Sequence, residues 1–461
     1  MLFLAKDFTS GNPMKVIFTF AIPMLLGNIF QQLYSTVDSV IVGNFEGASA
    51  IAAVSASGSL QFFMVSIAFG FTSGMSVVIS QVYGARDYEK MRKVFSTGFL
   101  FVLGLACVLG IVGATVSKTV LVALGTPDSI LPNSVKYLGI MFLGMPFAFA
   151  YNMYSSVLRA VGDSKTPLYF LIVAALSNIV LDYTFVAFMG WGVAGVAFAT
   201  VIAQAFSGVL CHMYIKKKVQ IFNLTREEWV FDKSLLKPII NYGLPAAVQQ
   251  SIISLGMMMV QSFVNFYGEN MIAAYGVVGR IENFVMMPLM QFAMALSMFA
   301  GQNIGAGEEK RAKSGISATM KMQVIFSVLM VFVIPKVAPM LINLFGLGDT
   351  PEVVRIALMG LDFEVYFLVI FGLFQALNQF HRGVGDTKFS MVASLMMIIV
   401  RLPITYILVY IVQMGELSIW IGMVSGWITA FIVNLIRFLS GGWRGKAYVH
   451  ERVDKKAEAT A

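Results

Sequence analysis

Charge is scarce in this chain. Only 12% of its 461 residues are Asp, Glu, Lys or Arg, and 58% are apolar, whereas roughly a quarter of a soluble domain is charged. Twenty-four acids and 32 bases cannot cover a water-facing surface for a protein of this size, which excludes a soluble enzyme and turns most of the surface toward lipid. Cysteine is nearly absent, with Cys107 and Cys211 both in apolar runs, which argues against a disulfide framework or a thiolate metal site. The three histidines, His212, His381 and His450, fall at or beyond expected span ends, so no general base or metal set stands ready inside the bilayer. No Gly-x-x-x-x-Gly-Lys-(Ser/Thr) loop occurs either, which excludes ATP as the source of power.

What is abundant is long apolar sequence. Spans are expected near 15–42, 50–81, 94–117, 134–157, 166–188 and 193–215, then near 238–265, 271–302, 313–342, 353–380, 389–412 and 417–439. Only helices and closed barrels satisfy their backbone in lipid, and these runs are too long for barrel strands and lack alternation. No cleavage pattern precedes the first run, so it reads as an uncleaved span. Lys6, Lys15, Arg86, Lys90, Arg92, Lys93, Arg159, Lys165, the stretch Lys216 to Lys237, Lys310, Arg311, Lys313, Arg382, Lys388 and the tail from Arg437 fall in connectors of one side, against Lys118, Lys136, Lys336 and Arg355 on the other. By the positive-inside rule both termini are expected in the cytoplasm, with the chain in the plasma (inner) membrane. The net charge of +8 therefore marks topology, and no nucleic-acid partner is expected.

The halves repeat. Asn44-Phe45-Glu46-Gly47 returns as Asn265-Phe266-Tyr267-Gly268, and Gln81-Val82-Tyr83-Gly84-Ala85 returns at the same offset as Gln302-Asn303-Ile304-Gly305-Ala306. Arg159-Ala160-Val161-Gly162-Asp163-Ser164-Lys165 returns as Arg382-Gly383-Val384-Gly385-Asp386-Thr387-Lys388. Such preserved spacing marks duplication. The expected fold is an all-α integral membrane protein of 12 transmembrane helices in two pseudo-symmetric six-helix bundles around a central cavity. Its parts are 1–215 as the first bundle, 216–237 as a cytoplasmic linker, 238–440 as the second bundle and 441–461 as a cytoplasmic tail.

Ile22-Pro23, Asp38 followed by Val42-Gly43, the two Gln-x-x-Gly-Ala turns, the two Arg-x-Val-Gly-Asp-(Ser/Thr)-Lys loops, and Asn178 to Asp182 stand in an order and spacing that resembles the multidrug and toxic compound extrusion (MATE) family of bacterial type. The resemblance covers nearly the whole chain. It implies cation-coupled export of amphipathic, mostly cationic organic compounds, in which neither a cofactor nor catalysis takes part and Na⁺ or H⁺ is the coupling ion. A monomer in the lipid bilayer is expected.

Charges inside the membrane need a reason, because each costs several kcal/mol. Asp182 follows Asn178 by four residues, which puts both on one helix face. At 1.5 Å per residue Asp38, Asp182 and Thr200 sit ~7 to 15 Å from the outer ends of their spans, and so share a depth. Two carboxylates, an amide and a hydroxyl suit a small hard cation, or a proton shared by two acids, since two buried carboxylates cannot both stay ionised cheaply. The bland alternative is polar packing between helices. The resemblance implies that Asp38, Asn178, Asp182 and Thr200 form the cation site, as metal ligands if the ion is Na⁺. The second-half equivalents of Asn178, Asp182 and Thr200 are Arg401, Thr405 and Met423, and Asp38 maps to Met259 or Val260, so the site is expected in the first bundle alone.

Glu282 is the remaining interior acid, expected either to meet cationic substrate or to pair structurally with Arg401 or Lys321. Gln249, Met257 and Met286 are the accompanying substrate-contact candidates, the methionines because a soft surface suits promiscuous binding. Asp362 and Glu364, nearer the outer surface, are expected to be solvated or snorkelling. Pro23 and Pro245 interrupt their spans and each permits a kink, static or acting as a conformational hinge. A flippase for lipid-linked precursors has a related architecture, but anionic cargo would favour a basic cavity, and the clearest interior charges here are acidic. A channel is disfavoured by two pseudo-symmetric bundles with broken helices.

Overall fold

The computed structural model describes residues 7–449; Lys6, His450 and the rest of the tail lie outside the described residues. The chain is helical. Among the described residues eleven helices are long and apolar enough to cross a membrane, and a bent pair makes twelve if it is counted as one span. In order they are α1 (Pro13–Gly47), α2 (Ser49–Gly84), α3 (Tyr88–Ala123), the bent pair α4 (Leu131–Leu143) and α5 (Met145–Ala160), α6 (Lys165–Phe188) and α7 (Gly192–Lys218). The second set is α8 (Lys233–Phe266), α9 (Glu269–Gly305), α10 (Glu309–Leu344), α11 (Pro351–Gly383), α12 (Thr387–Ile411) and α13 (Leu417–Leu439).

The span expected over 134–157 is broken, with its two pieces inclined at 48°. The break falls at Gly144, and Pro146 stands in the first turn of α5, where it has no N–H to continue the α4 ladder.

The repeated motifs turn out to be the chain's turn signals. Gly47 has φ 78° and separates α1 from α2 without a loop, and Gly268 has φ 85° at the matching place before α9. Gly162 and Gly385, at φ 89° and 96°, do the same after α5 and α11. A side chain would be strained in that left-handed region, so glycine returns at each. The aspartates that follow serve locally as well: Asp163 Oδ1 accepts from the backbone N–H groups of Lys165 at 3.1 Å and Thr166 at 3.0 Å, while Asp386 Oδ2 accepts from Arg437 Nε at 2.8 Å.

Two compact units result. One takes Ile22–Ala247, the other Phe8–Ala21 together with the chain from Val248 onward. Each half therefore lends its leading segment to the unit of the other half, and the chain changes units beside Pro23 and Pro245. In the first unit, α2 meets the start of α8 backbone to backbone, since a Cβ on Gly74 would land on the main chain of Gly243. Small residues allow this approach, the usual basis of helix association in lipid. In the second unit, Phe8 is 1% exposed and its ring meets Phe20 edge-on at 5.0 Å. Gln302 Oε1 accepts from the Phe8 N–H at 3.1 Å, and Arg311 Nε donates to the Phe8 carbonyl at 3.0 Å. Deeper in this unit Trp420, 0% exposed, lies on Gly360, where a Cβ would overlap the indole.

Candidate cation site

Asp38 on α1, Asn178 and Asp182 on α6 and Thr200 on α7 meet inside the first unit. With its amide turned so that both ends are satisfied, Asn178 Nδ2 donates to Asp38 Oδ1 at 2.9 Å and its Oδ1 accepts from the Thr200 backbone N–H at 3.3 Å. The Asp38 and Asp182 carboxyl groups are neighbours that interact electrostatically, the arrangement in which two buried carboxylates cannot both stay ionised cheaply. Asp182 is 0% exposed and Asn178 2%; Asp38 is half-buried. Around them stands an apolar wall that includes Ile41, Val42, Val186, Val193 and Ala197, so polar interactions here are strong and unmet ones costly.

Asp182 Oδ1 has no partner. A buried carboxylate oxygen left open in this way calls for an occupant such as water or a cation. The donors are hard oxygens, which fits H⁺ or Na⁺ and no softer metal. Among the described residues no group of three or more His, Cys, Asp or Glu side chains could hold a metal ion, so an ion here would depend on two carboxylates and neutral oxygens.

Two details differ from the sequence expectation. The Thr200 hydroxyl donates to the Val196 carbonyl of its own helix at 3.0 Å, and it is the Thr200 backbone N–H that engages Asn178. Two phenols also join the site: Tyr34, one turn before Asp38, and Tyr137 on α4 both interact electrostatically with Asp38 and Asp182. The four-residue spacing from Asp38 could have flagged Tyr34. Tyr137 arrives through tertiary packing of α4, which leaves no trace in local sequence. Directly after Asp182, the chain runs as a π-helix over Tyr183–Phe188, a wider coil that is frequent at functional sites.

The second unit holds the other candidates, of which Glu282 and Met286 share one cavity. Gln249 is buried and its amide is engaged, donating to Ser394 Oγ at 2.5 Å and Asn378 Oδ1 at 3.3 Å and accepting from Arg382. Met257 is 60% exposed. Glu282 and Met286 line a cavity of about 20 Å³ with Glu364, room for about one water. Arg401 interacts electrostatically with Glu282, though Glu282 Oε1 and the Arg401 Nε and Nη2 atoms have no hydrogen-bond partner. Glu364 departs from expectation: it is 4% exposed and neither carboxyl oxygen has a partner. Its face of α11 turns toward Glu282 and Ile334, whereas Asp362, two residues earlier and therefore on the opposite face, is exposed.

The MatE family model matches residues 23–184 and 245–407, once in each half. The chain is 33% identical over 425 residues, 90% of each chain, to the probable multidrug resistance protein YoeA of Bacillus subtilis (strain 168). It is 31% identical over 451 residues to YpnP of the same organism, also a probable multidrug resistance protein, covering 97% of this chain and all of that one. A solved structure described as the outward-facing conformation of a multidrug resistance MATE family transporter aligns with TM-score 0.88 at 23% identity, over 95% of this chain and 98% of that one. Matched along both repeats and across the whole fold, the chain belongs to the MATE family of multi-pass membrane transporters and is not an enzyme.

Proposed function

We propose that this protein is a multidrug efflux antiporter that exports amphipathic, mostly cationic organic compounds in exchange for one monovalent cation, H⁺ or Na⁺, taken at the Asp38–Asp182 pair. The observation that carries this reading is the pair itself: two neighbouring carboxyl groups beside an apolar wall, one with an open oxygen, a site whose net charge changes when an ion arrives. The multidrug resistance named for YoeA and YpnP supports the substrate class. Pro23 and Pro245 act as hinges, a role supported by the change of compact unit beside each. Met257 and Met286 supply adaptable contacts to substrate. Glu282 would do so only if its small cavity opened. The protein works as a monomer in the inner membrane with both termini cytoplasmic. The lipid-precursor flippase is the weaker reading because the first unit's buried site is acidic.

The test is efflux of a fluorescent organic cation from proteoliposomes under separately imposed Na⁺ and H⁺ gradients. Efflux driven by one gradient supports antiport and identifies the ion. No gradient-driven movement of any cation in a broad panel would overturn it.

A further inference from the structure

The linker between the repeats is folded. Gln220–Phe222 and Arg226–Glu228 form single helical turns, the second closed by a Thr225–Glu228 capping box. The start of α3 straps it down: Arg92 donates to Glu228 Oε1 at 2.9 Å and to the Ile221 carbonyl at 3.1 Å, and Ser96 Oγ donates to the Val230 carbonyl at 3.0 Å. The hydrogen bonds from Thr225 and the Arg92 guanidinium hold the Glu228 carboxyl below its ordinary range, so the strap's anchor is an anion.

The strap roofs a cavity of about 240 Å³. One wall is aromatic, with the Phe95 ring 5.1 Å from Phe222 and 5.9 Å from Trp229. Lys216, at the end of α7, and Arg226, on the strap, supply positive charge, and His212, also on α7, has its Nδ1 2.9 Å from Tyr154 OH. Among the described residues no carboxylate lines the cavity; Glu227, next to Arg226 in the chain, is not part of its lining, and Glu228 is committed to Arg92. Two cations without an acidic counterpart over an aromatic wall repel organic cations and attract an anion that carries an apolar body. The volume is below the roughly 300 Å³ at which drug-sized pockets begin, which suits a headgroup or a small aromatic acid. The last turn of α7 carries Lys216, Lys217 and Lys218, the kind of basic cluster that draws acidic lipid to a membrane surface.

We propose that the strap pocket binds an amphiphilic anion, with Lys216 and Arg226 holding the phosphate or carboxylate and the Phe95, Phe222 and Trp229 rings holding the apolar body. In a membrane the source is an acidic phospholipid headgroup; in solution it is an aromatic carboxylate. The site is independent of the cation pair, and its test needs no transport.

The full-length protein in neutral detergent is titrated with dihexanoyl phosphatidylglycerol, dihexanoyl phosphatidylcholine and 1-naphthoate while Trp229 emission is read against a Trp229→Phe control. A saturable change is expected with phosphatidylglycerol, absent with phosphatidylcholine and weakened about tenfold or more in the Lys216→Gln/Arg226→Gln variant. Both substituted residues are exposed, so the variant should keep its melting temperature. Saturation by naphthoate alone supports the site and assigns it to soluble anions; saturation by phosphatidylglycerol assigns it to lipid. No saturation by either anion, an equal response to phosphatidylcholine, or undiminished affinity in the double variant overturns the proposal.

Discussion

Asn178 Nδ2 stands 2.9 Å from Asp38 Oδ1 and donates to it. The amide thus presents its hydrogen, not its oxygen, to the acid pair. For Na⁺ to gain Asn178 as an oxygen ligand the amide must turn over, which breaks its contacts to both Asp38 and Thr200. Arrival of a proton requires no such turn. Sodium entry, unlike proton entry, is therefore connected through one side chain to a local rearrangement that links α1, α6 and α7.

Asp38→Asn and Asp182→Asn should each abolish gradient-driven efflux while leaving the fold intact, since Asn is nearly isosteric with Asp. Each variant removes one of the two carboxyl groups that share the ion. Full gradient-driven efflux in either one, measured in proteoliposomes, would place coupling elsewhere.

Thr200→Val should retain most of its coupled transport. The hydroxyl it removes is tied to Val196 of the same helix, and the backbone N–H that holds Asn178 survives the substitution. Asn178→Leu should instead lose coupling, because it leaves Asp38 without a buried donor, at a cost of about 1–3 kcal/mol. If the two variants fall together, the Thr200 hydroxyl serves the ion directly.

Drug and ion should weaken each other. Ion binding at Asp38 and Asp182 adds positive charge or removes negative charge, so affinity for an organic cation should fall as pH is lowered in a proton-coupled protein, or as Na⁺ is added at fixed ionic strength in a sodium-coupled one. Such couplings are typically about 5- to 150-fold, and reciprocity requires the drug to weaken ion binding by the same factor. Fluorescence titration of one tight-binding cation along both series checks this, with Asp38→Asn expected to show a flat response; a flat response in the native protein would contradict the linkage.

Glu364→Met should leave thermal stability unchanged or raise it. The carboxyl is buried among Leu361, Val365 and Leu368 with no hydrogen-bond partner, and an unmet buried polar group costs about 1–3 kcal/mol. Methionine fills similar space without that penalty. A lower Tm in detergent would mean that Glu364 has a partner on which the fold depends.

Scarcity of charge and the length of the apolar runs determined, from sequence alone, that the chain is helical and spans a membrane, because lipid leaves a backbone no other arrangement for runs of that length. The duplicated motifs also revealed two related halves, since left-handed turns demand glycine at Gly47, Gly268, Gly162 and Gly385. The four-residue step from Asn178 to Asp182 placed an amide and an acid on one face before any coordinates. Tertiary structure alone decided the rest. Which helix brings Tyr137 to the acid pair, which atom of Thr200 meets Asn178, and which face of α11 buries Glu364 depend on how helices rotate against one another, and uniformly apolar helices carry little periodicity to fix that rotation. The exchange of leading segments, with Phe8 bound to Gln302 and Val230 to Ser96, was hidden for a similar reason: those contacts join residues hundreds of positions apart or linked only through a folded strap, and local sequence records neither.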